Sequence, residues 1–371
     1  MSLQDAFAIL LAAHHPQLNL LGISTVHGNA SLAHTTTNAL RILRAIGRSD
    51  IPVYSGASRP FAREPVHAAD IHGESGLDGT ELLPQIHETS QHANVEPAIL
   101  AMRNAILSQA AGTAWVVATG AWTNVALLFA SFPEVTNHVA GVSVMGGAIG
   151  GHFSEALMGK VKQGVWTERI GNTTPWAEFN VYCDPESAKS LLCNPLLKDR
   201  LVMIPLDVTH LALATEDIRL RLLGDCHPLR QMFYDLLMFF AGTYRDVFGF
   251  TDGPPLHDPL AVAVILDMLG LEDFGFEDGE KVGEKGPHWK VDVVTDGRHE
   301  TVHQGNGQTM SKKQNESQLG RILLVRQATG QEGGVRIPRR IKRLDRFWDT
   351  IELSLQKAEI ALEGIDVWPK S

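Results

Sequence analysis

Short apolar runs that each end in a polar cluster set the strongest limit on how this chain can fold. The polar clusters occupy residues 27–29, 118–124, 145–148, 206–210 and 257–259. A strand, a polar loop and a helix in repeated order are typical of an α/β fold with a mostly parallel central sheet flanked by helices. Because the loops at the carboxyl ends of parallel strands converge on one crevice, the five clusters predict a single site.

The apolar runs and the helical periodicity give the approximate bounds of the elements. The predicted strands are residues 19–26, 51–54, 114–118, 141–145 and 201–205. The predicted helices are residues 3–13, 32–46, 96–109, most of 215–248, and 347–362, of which the last is amphipathic and is expected to pack on the sheet. Residues 275–315 suggest a hairpin with long loops, in which 288–295 form one strand.

Composition limits the partners of the chain. The formal net charge of −10 argues against nucleic acid or an anionic membrane, and the basic run 336–346 is expected to be a solvated face. The three cysteines, Cys183, Cys193 and Cys226, form no CxxC pair, which indicates a reduced, cytoplasmic setting. No apolar run is long enough to span a bilayer, and no signal peptide is recognisable.

The central stretch, residues 177–188 with the sequence AEFNVYCDPESA, combines polar side chains with a helix start. Asp184 followed by Pro185 predicts a helix that begins at the proline, because aspartate caps free N–H groups and proline suits the first turn. Glu178 and Asn180 would point to one face of an extended segment and could bind a polar ligand such as a sugar. An exposed loop before a capped helix explains the same pattern equally well.

Eight short motifs, taken in order, resemble the inosine–uridine-preferring nucleoside hydrolases. They occupy residues 5–12, 25–29, 72–76, 120–124, 145–147, 177–180, 184–188 and 257–259. No single motif is specific, but the ordered set is, and it covers nearly the whole chain. The resemblance implies one domain over residues 1–371, in which 275–340 form family-variable extended loops similar to those of fungal uridine ribohydrolases.

The resemblance implies hydrolysis of the N-glycosidic bond of ribonucleosides to ribose and free base. The reaction passes through an oxocarbenium-like transition state, which glycosidases stabilise with carboxylates. In this family a calcium ion is expected to orient the attacking water and the ribose 2′- and 3′-hydroxyls. Calcium suits that role because it accepts six to eight oxygen ligands in flexible geometry and acidifies bound water.

The resemblance also assigns the metal ligands and the general acid. Asp5 and Asp258 are implied as carboxylate ligands of the calcium ion, and Thr123 as a ligand through its backbone carbonyl. His257 is similar to the histidine that protonates the departing base. A histidine before Asp-Pro can also be a simple turn residue.

The substrate contacts follow from the same motifs. They are Asn29, His72, Met145, Asn172, Glu178, Phe179, Asn180 and Tyr244. The asparagines and the glutamate are implied as ribose contacts, with Met145 beneath the sugar and Phe179 beside it. His72 and Tyr244 are implied on the base side. A plain core role for Met145 is an equally open alternative.

The start of the chain departs from the family pattern. The family signature D-x-D-P-G-x-D-D-A follows a first strand, whereas here only Gln4-Asp5-Ala6 remains, and Gln4 stands where the family has the first aspartate of its pair. The absent segment supplies the family's general base, which is also a calcium ligand. Asp78 and Asp207 lie near the site by motif, but neither is expected to replace the base.

Two explanations of this departure lead to different functions. An otherwise ordinary hydrolase with a shortened start is favoured, since a missing central strand would leave unpaired backbone groups on its neighbours. The alternative is a catalytically inactive protein that binds nucleosides or ribose. A serine or cysteine hydrolase is disfavoured because no G-x-S-x-G motif is present. The resemblance suggests a homodimer or homotetramer, and the preferred base stays open, with Phe240, Tyr244 and Phe250 as aromatic candidates.

Overall fold

The computed structural model describes residues 1–86, 93–163, 165–225, 227–297, 318–329, 332–365 and 367–368. The helices in this part of the chain are α1 (Leu3–His14), α2 (Leu32–Ala45), α3 (Ala69–His72), α4 (Ala98–Leu107), α5 (Thr123–Ser131), α6 (Val135–His138), α7 (Phe179–Cys183), α8 (Pro185–Leu192), α9 (Leu206–Thr209), α10 (Glu216–Leu223), α11 (Pro228–Phe248), α12 (Pro259–Met268) and α13 (Leu344–Ala361). The strands are β1 (Ile23–Thr25), β2 (Val53–Ser55), β3 (Trp115–Ala118), β4 (Gly141–Met145), β5 (Lys160–Gln163), β6 (Val165–Glu168), β7 (Leu201–Ile204), β8 (Phe276–Glu277), β9 (Trp289–Val293), β10 (Ile322–Gln327), β11 (Val335–Arg336) and β12 (Arg340–Ile341).

The central sheet has six strands in the order β10-β9-β11-β7-β4-β3. Strands β3, β4, β7 and β11 run parallel, whereas β9 runs antiparallel between β11 and the edge strand β10. Every residue of β4 and β7 is buried, as expected for strands covered by helices on both faces. The predicted α/β fold with a mostly parallel central sheet is therefore confirmed.

Strands β1 and β2 form a second, two-stranded parallel sheet that is not hydrogen-bonded to the first. The edge of β1 and the outer edge of β3 line one groove, together with residues of α1, α4 and α12. No described strand pairs with that edge of β3.

The N-terminal helix α1 is positioned by its first turn and by its apolar length. Ser2 and Asp5 form a capping box, in which the Ser2 backbone N–H donates to Asp5 Oδ2 at 2.7 Å. Phe7, Leu10 and Leu11 are fully buried in the core that also contains α12 and α13. This packing places Asp5 beside the carboxyl end of β3.

The C-terminal part corrects one sequence prediction and extends another. Helix α13 packs mainly against α1, with smaller contacts to α10 and α11, and not on the sheet as expected. Strand β9 pairs with β10, so the predicted hairpin exists, but its second strand begins at Ile322. The intervening residues 298–317 and Cys226 lie outside the described residues.

The basic run 336–346 is matched by acidic side chains of residues 273–280. Arg336 pairs with Asp278 at 2.8 Å, and Lys342 pairs with Glu277. These ion pairs tie β11 and β12 to the segment around β8. The expected solvated face at a helix start holds only for the end of the run, where α13 begins at Leu344, since most of the run lies in and around β11 and β12.

Candidate active site

Three polar clusters meet beside the carboxyl ends of β3, β4 and β7. The Thr119 hydroxyl, which follows β3, donates to Asp5 Oδ1 at 2.6 Å. The Asn180 amide donates to the carbonyls of Thr119 and Met145 at 3.0 and 3.2 Å. The Leu206 backbone N–H, after β7, donates to the Gly147 carbonyl at 2.9 Å. The convergence that the repeated clusters predicted is therefore present.

Glu178 and Asn180 lie in a helix start and not in the expected extended segment. Glu178 is the N-cap of α7, and its carboxylate accepts from the backbone N–H groups of Asn180 and Val181. The same carboxylate accepts from Gly147 N–H at 2.9 Å. Gly147 has φ of +84°, and a Cβ there would lie 2.9 Å from Ile322, so the turn that presents this N–H requires glycine.

The predicted helix start at Asp184 is confirmed. The Asp184 carboxylate accepts from Ser187 N–H at 3.0 Å, and Pro185 occupies the first turn of α8. Caps of this kind contribute about 1 kcal/mol to helix stability. Because α7 ends where α8 begins, the cap also fixes the orientation of Glu178 and Asn180 toward β4.

A pair of acidic side chains, Asp5 and Asp258, forms the electrostatic centre of the site. Burial raises the pKa of the Asp258 carboxyl well above its usual range, and the charges of Asp5 and Glu178 raise it further. Burial also raises the pKa of Glu178, although its backbone hydrogen bonds oppose this shift. Acidic neighbours around the buried Asp258 carboxyl favour a proton or a cation at that carboxyl.

His257 is held between two hydroxyl groups. Its Nδ1 lies 2.7 Å from Thr209 Oγ1, and its Nε2 lies 2.8 Å from the Tyr244 hydroxyl. Burial lowers the pKa of His257 well below its usual range, and His210 and His72 lower it further. The imidazole is therefore neutral at pH 7, with both ring nitrogens in hydrogen bonds.

The Tyr244 hydroxyl is hydrogen-bonded to the Asn172 side chain as well as to His257. Asn172 Oδ1 in turn accepts from Phe179 N–H at 2.9 Å. Burial raises the pKa of Tyr244, so its hydroxyl keeps its proton. A continuous series of hydrogen bonds thus runs from Thr209 through His257, Tyr244 and Asn172 to the start of α7.

Aromatic side chains surround His257 on the other side. His72 stacks on Phe240 with ring centroids 5.8 Å apart, and Phe240 contacts Tyr244 at 4.5 Å. His210 lies 4.9 Å from Phe250 in an edge-to-face contact. Burial lowers the pKa of His72 to about 3 and that of His210 to about 4, so this side of the site is uncharged.

The remaining predicted contacts line the same region. Met145 is buried at the end of β4, and its sulfur lies 3.4 Å from the Asn180 amide. Asn29 lies on the wall of the groove that Asp5 also lines. The Thr123 hydroxyl donates to Asp184 at 2.6 Å and lies 3.0 Å from His27, so a metal contact from this residue would use only its main-chain carbonyl.

Three residues that position the site, Gln4, Thr119 and Thr209, were not predicted from the sequence to do so. Gln4 accepts from His257 N–H at 2.7 Å and donates to the Pro255 carbonyl at 3.1 Å, so it anchors the loop that carries His257 and Asp258. Thr119 and Thr209 occur within polar clusters that were recognised, but hydroxyl residues are common in loops. Only their partners in space distinguish them.

Asp207 and Asp78 serve local structure, consistent with the expectation that neither replaces the general base. The two Asp207 oxygens accept from Ile149 N–H and Gly150 N–H, each at 2.8 Å. Asp78 accepts from Glu74 N–H and from the Ser75 hydroxyl.

The donor atoms of the site suit a hard cation. Within the described ranges, no group of three or more histidine, cysteine, aspartate or glutamate side chains is arranged to hold a metal ion. The half-buried Asp5 and the buried Asp258 nevertheless offer carboxylate oxygens, the donors that calcium prefers. The residues present fit such an ion in chemistry, with further oxygens to come from the main chain, water or substrate.

Comparison with known proteins gives one consistent result. The family model described as inosine-uridine preferring nucleoside hydrolase matches residues 1–349. The uridine nucleosidase of Saccharomyces cerevisiae is 35% identical over 362 residues, which is 96% of this chain and 93% of the yeast protein. The pyrimidine-specific ribonucleoside hydrolase RihA of Shewanella woodyi is 38% identical over 71% of this chain and 75% of its own length.

A similar fold occurs in the purine-preferring ribonucleoside hydrolase from Gardnerella vaginalis. The TM-score is 0.73 with 21% identity, and the match covers 97% of each chain. At that identity the likeness concerns the fold alone.

Proposed function

This chain belongs to the inosine-uridine preferring nucleoside hydrolase family, and on that premise we propose that it hydrolyses the N-glycosidic bond of ribonucleosides. Water would add to the anomeric carbon of the ribose as the bond to the base nitrogen breaks. The products would be ribose and the free base, which gains a proton. Uridine is the substrate we propose as preferred, with inosine as a second.

One observation carries this proposal, namely that an acidic pair and a histidine held by two hydroxyl groups share one site. Asp5 and Asp258 lie close enough for their charges to interact, and carboxyl groups are the ones with which glycosidases stabilise a ribosyl group that becomes positive as the base departs. His257 lies in the neighbouring aromatic region and is buried. The two halves of the reaction, stabilisation of the sugar and protonation of the base, would each have a matching group.

We propose calcium as the cation of the site, held by Asp5, Asp258 and the main-chain carbonyl of Thr123. A bound calcium ion supplies positive charge that orients and acidifies the attacking water. Glu178 and Asn180 are fixed by α7 and by contacts to Gly147 and Met145, which suits them to hold ribose hydroxyls. Their positions support a role as sugar contacts together with Asn29 and Asn172.

Protonation of the departing base is assigned to His257, whose ring would pass a proton to the base nitrogen and regain one from solvent. The Tyr244 hydroxyl, which keeps its own proton because burial raises its pKa, would hold the imidazole in place. A base that enters beside His72 and Tyr244 would meet this pair. Proton transfer from a positioned group typically accelerates such a step about 10²- to 10⁴-fold.

The uridine preference is supported by the yeast uridine nucleosidase and by the aromatic base side. Phe240 and Tyr244 are held together by a ring contact at 4.5 Å and can stack on a flat base. A role in nucleoside catabolism and pyrimidine salvage follows from this preference. Measured kcat/KM for uridine, cytidine, inosine and 2′-deoxyuridine tests it, and inosine ahead of uridine would reverse the assignment.

Binding without turnover is a second candidate, and one observation favours it. Both oxygens of Asp5 already accept hydrogen bonds, from Thr119 and from Ser2, and both oxygens of Glu178 accept backbone N–H groups. A protein of this kind would bind uridine or ribose, which equilibrium titration measures, without release of uracil. Turnover of uridine would exclude it.

We also propose a cytoplasmic homodimer or homotetramer. No helix in the described part of the chain is both long and apolar enough to cross a membrane. Cys183 and Cys193 are free thiols, which suits a reducing compartment. Cell fractionation and light scattering of the purified protein test the two parts separately.

A further inference from the structure

The Asn172 loop, residues 169–177, connects β6 to α7 and carries a side chain that we propose as a ribose contact. The loop folds back on itself, because Ile170 N–H donates to the Pro175 carbonyl at 3.0 Å. Asn172 lies between these two residues and is half-buried. The position of its amide therefore depends on how firmly this turn is held.

The second half of the Asn172 loop is fixed to the start of α7. The Thr174 hydroxyl oxygen accepts from the N–H groups of Trp176 and Ala177 at 3.2 and 2.9 Å. Gly171 packs directly on the Ala177 main chain, since a Cβ at Gly171 would lie 2.0 Å from the Ala177 carbonyl oxygen. Only glycine permits so close an approach of two backbone segments.

The half-buried Arg169 side chain joins the two halves of the loop. Its Nε donates to the Gly171 carbonyl, and its Nη2 donates to the Thr174 carbonyl at 2.9 Å. These two carbonyls belong to residues on either side of Asn172. A guanidinium group is planar and carries five N–H donors in fixed directions, so it can hold two acceptors at a set separation.

The same guanidinium group connects the Asn172 loop to α11. The Arg169 Cζ atom lies 5.4 Å from the centroid of the Phe248 ring, and Phe248 contacts Tyr244 with ring centroids 4.8 Å apart. Burial lowers the pKa of Arg169 to about 10, so the group keeps its charge at pH 7 and the contact with Phe248 is a cation–π interaction. Arg169 thus holds the loop against the helix that carries Tyr244.

The Asn172 side chain depends on this support. Its Oδ1 accepts from Phe179 N–H at 2.9 Å, and its amide is also hydrogen-bonded to the Tyr244 hydroxyl. An asparagine side chain rotates about two single bonds, so these hydrogen bonds keep the amide in one place only while the backbone of Asn172 stays fixed. Arg169 fixes that backbone from both sides.

From these contacts we propose that Arg169 is a positioning residue for nucleoside binding. By holding the carbonyls of Gly171 and Thr174, it places the Asn172 amide where that amide contacts the ribose. The inference rests on the proposed function, because it takes Asn172 as a ribose contact. Arg169 itself is not proposed to touch the substrate, so its effect on binding should disappear when the Asn172 amide is removed.

The test is a double-mutant cycle of Arg169→Gln and Asn172→Ala in the 371-residue chain, with pseudouridine as the ligand. Pseudouridine has the ribose of uridine but a carbon–carbon glycosidic bond, so hydrolysis does not consume it and equilibrium titration in calcium buffer measures its Kd. Arg169→Gln should raise Kd at least about fivefold in the unaltered chain and less than about twofold in Asn172→Ala. A smaller rise in the unaltered chain, or a similar rise in both, would overturn the proposal.

Two further variants distinguish the fork of donors from the charge and from a general loss of an arginine. Arg169→Lys keeps the positive charge but not the fork, so most of the loss in binding should remain, and full recovery with lysine would overturn the proposed role. Arg200 is also half-buried and donates to the loop carbonyls of Thr136 and Val139, but it precedes β7, at the end of the strand away from the site. Arg200→Gln should leave Kd unchanged.

Hydrogen exchange separates a failure of this inference from a failure of the proposed function. Because Phe179 N–H donates to Asn172, it should exchange at least about fivefold faster in Arg169→Gln and at the unaltered rate in Arg200→Gln. Unchanged exchange of the buried Val144 amide shows that a variant is folded, and if Arg169→Gln is not, Arg169→Lys takes its place in the cycle. If the unaltered chain does not bind pseudouridine, the proposed function fails, whereas an unchanged Phe179 rate overturns the positioning role itself.

Discussion

The substitution Tyr244→Phe isolates the proposed role of one hydroxyl group in protonation of the base. Tyr244 is 3% exposed, and its ring contacts Phe240, Phe248 and Phe250 with centroids 4.5 to 5.5 Å apart. Phenylalanine keeps those contacts. Only the hydrogen bonds to His257 and Asn172 are lost.

The expected changes in stability and in kcat follow from the loss of these hydrogen bonds. A buried His257 Nε2 without its partner costs about 1–3 kcal/mol, so the free energy of unfolding should fall by that amount. If the hydroxyl holds His257 for proton transfer, kcat for uridine should fall about 10- to 100-fold, a part of the general-acid contribution. KM should change less than kcat, because the other proposed ribose contacts, Asn29, Glu178 and Asn180, keep their hydrogen bonds.

The assay compares two leaving groups. With p-nitrophenyl riboside the leaving phenolate needs no proton, so Tyr244→Phe should leave its kcat nearly unchanged. Tyr234→Phe, on the same helix α11, is the matched control and should leave both substrates unaffected. A uridine kcat within about twofold of the unaltered protein, or an equal loss with both substrates, would refute the assignment.

Three further predictions concern stability and the metal. Asp207→Asn should lower the free energy of unfolding, measured by urea titration, by about 2–4 kcal/mol, because two backbone N–H groups lose a charged acceptor. The control Asp199→Asn, on the surface, should change it by less than about 1 kcal/mol. Because the pKa values of His72 and His210 are lowered in the folded protein, the unfolded chain gains protons first as the pH falls below about 6.5. Each histidine should therefore lower the free energy of unfolding by about 2 kcal/mol at pH 5, an effect that the raised pKa of Asp258 partly offsets. His210→Gln should make the free energy of unfolding depend less steeply on pH. Calcium should raise the melting temperature of the unaltered protein and not that of Asp258→Asn, and an equal rise in both would remove Asp258 from the proposed ligands.

The sequence predicted those elements whose pattern is local. Strand β4 was predicted at its observed bounds, and the start of α8 followed from Asp184 and Pro185. Helix α7 was missed because five residues are too few to show helical periodicity, and glutamate is not among the preferred N-cap residues. The packing of α13 against α1 could not be predicted, since an amphipathic pattern predicts that one face of a helix is buried but not which element covers it.

The site residues also divide into those that a local sequence pattern predicts and those that it does not. His257 and Asp258 were recognisable from a short motif, and both side chains are buried in the structure. The roles of Thr119, Thr209 and Gln4 depend on hydrogen bonds across 48 to 253 positions of the chain, which no local pattern encodes. Such partners become visible only once the strands bring their carboxyl ends together.

The most direct measurement is the analysis of products from uridine with the purified chain. Uracil, ribose and ribose 1-phosphate are quantified with calcium, with a chelator, and with added phosphate. We predict equal amounts of uracil and ribose, formed with calcium, abolished by the chelator and unaffected by phosphate. Formation of ribose 1-phosphate, or saturable uridine binding without any release of uracil, would contradict the proposed hydrolysis.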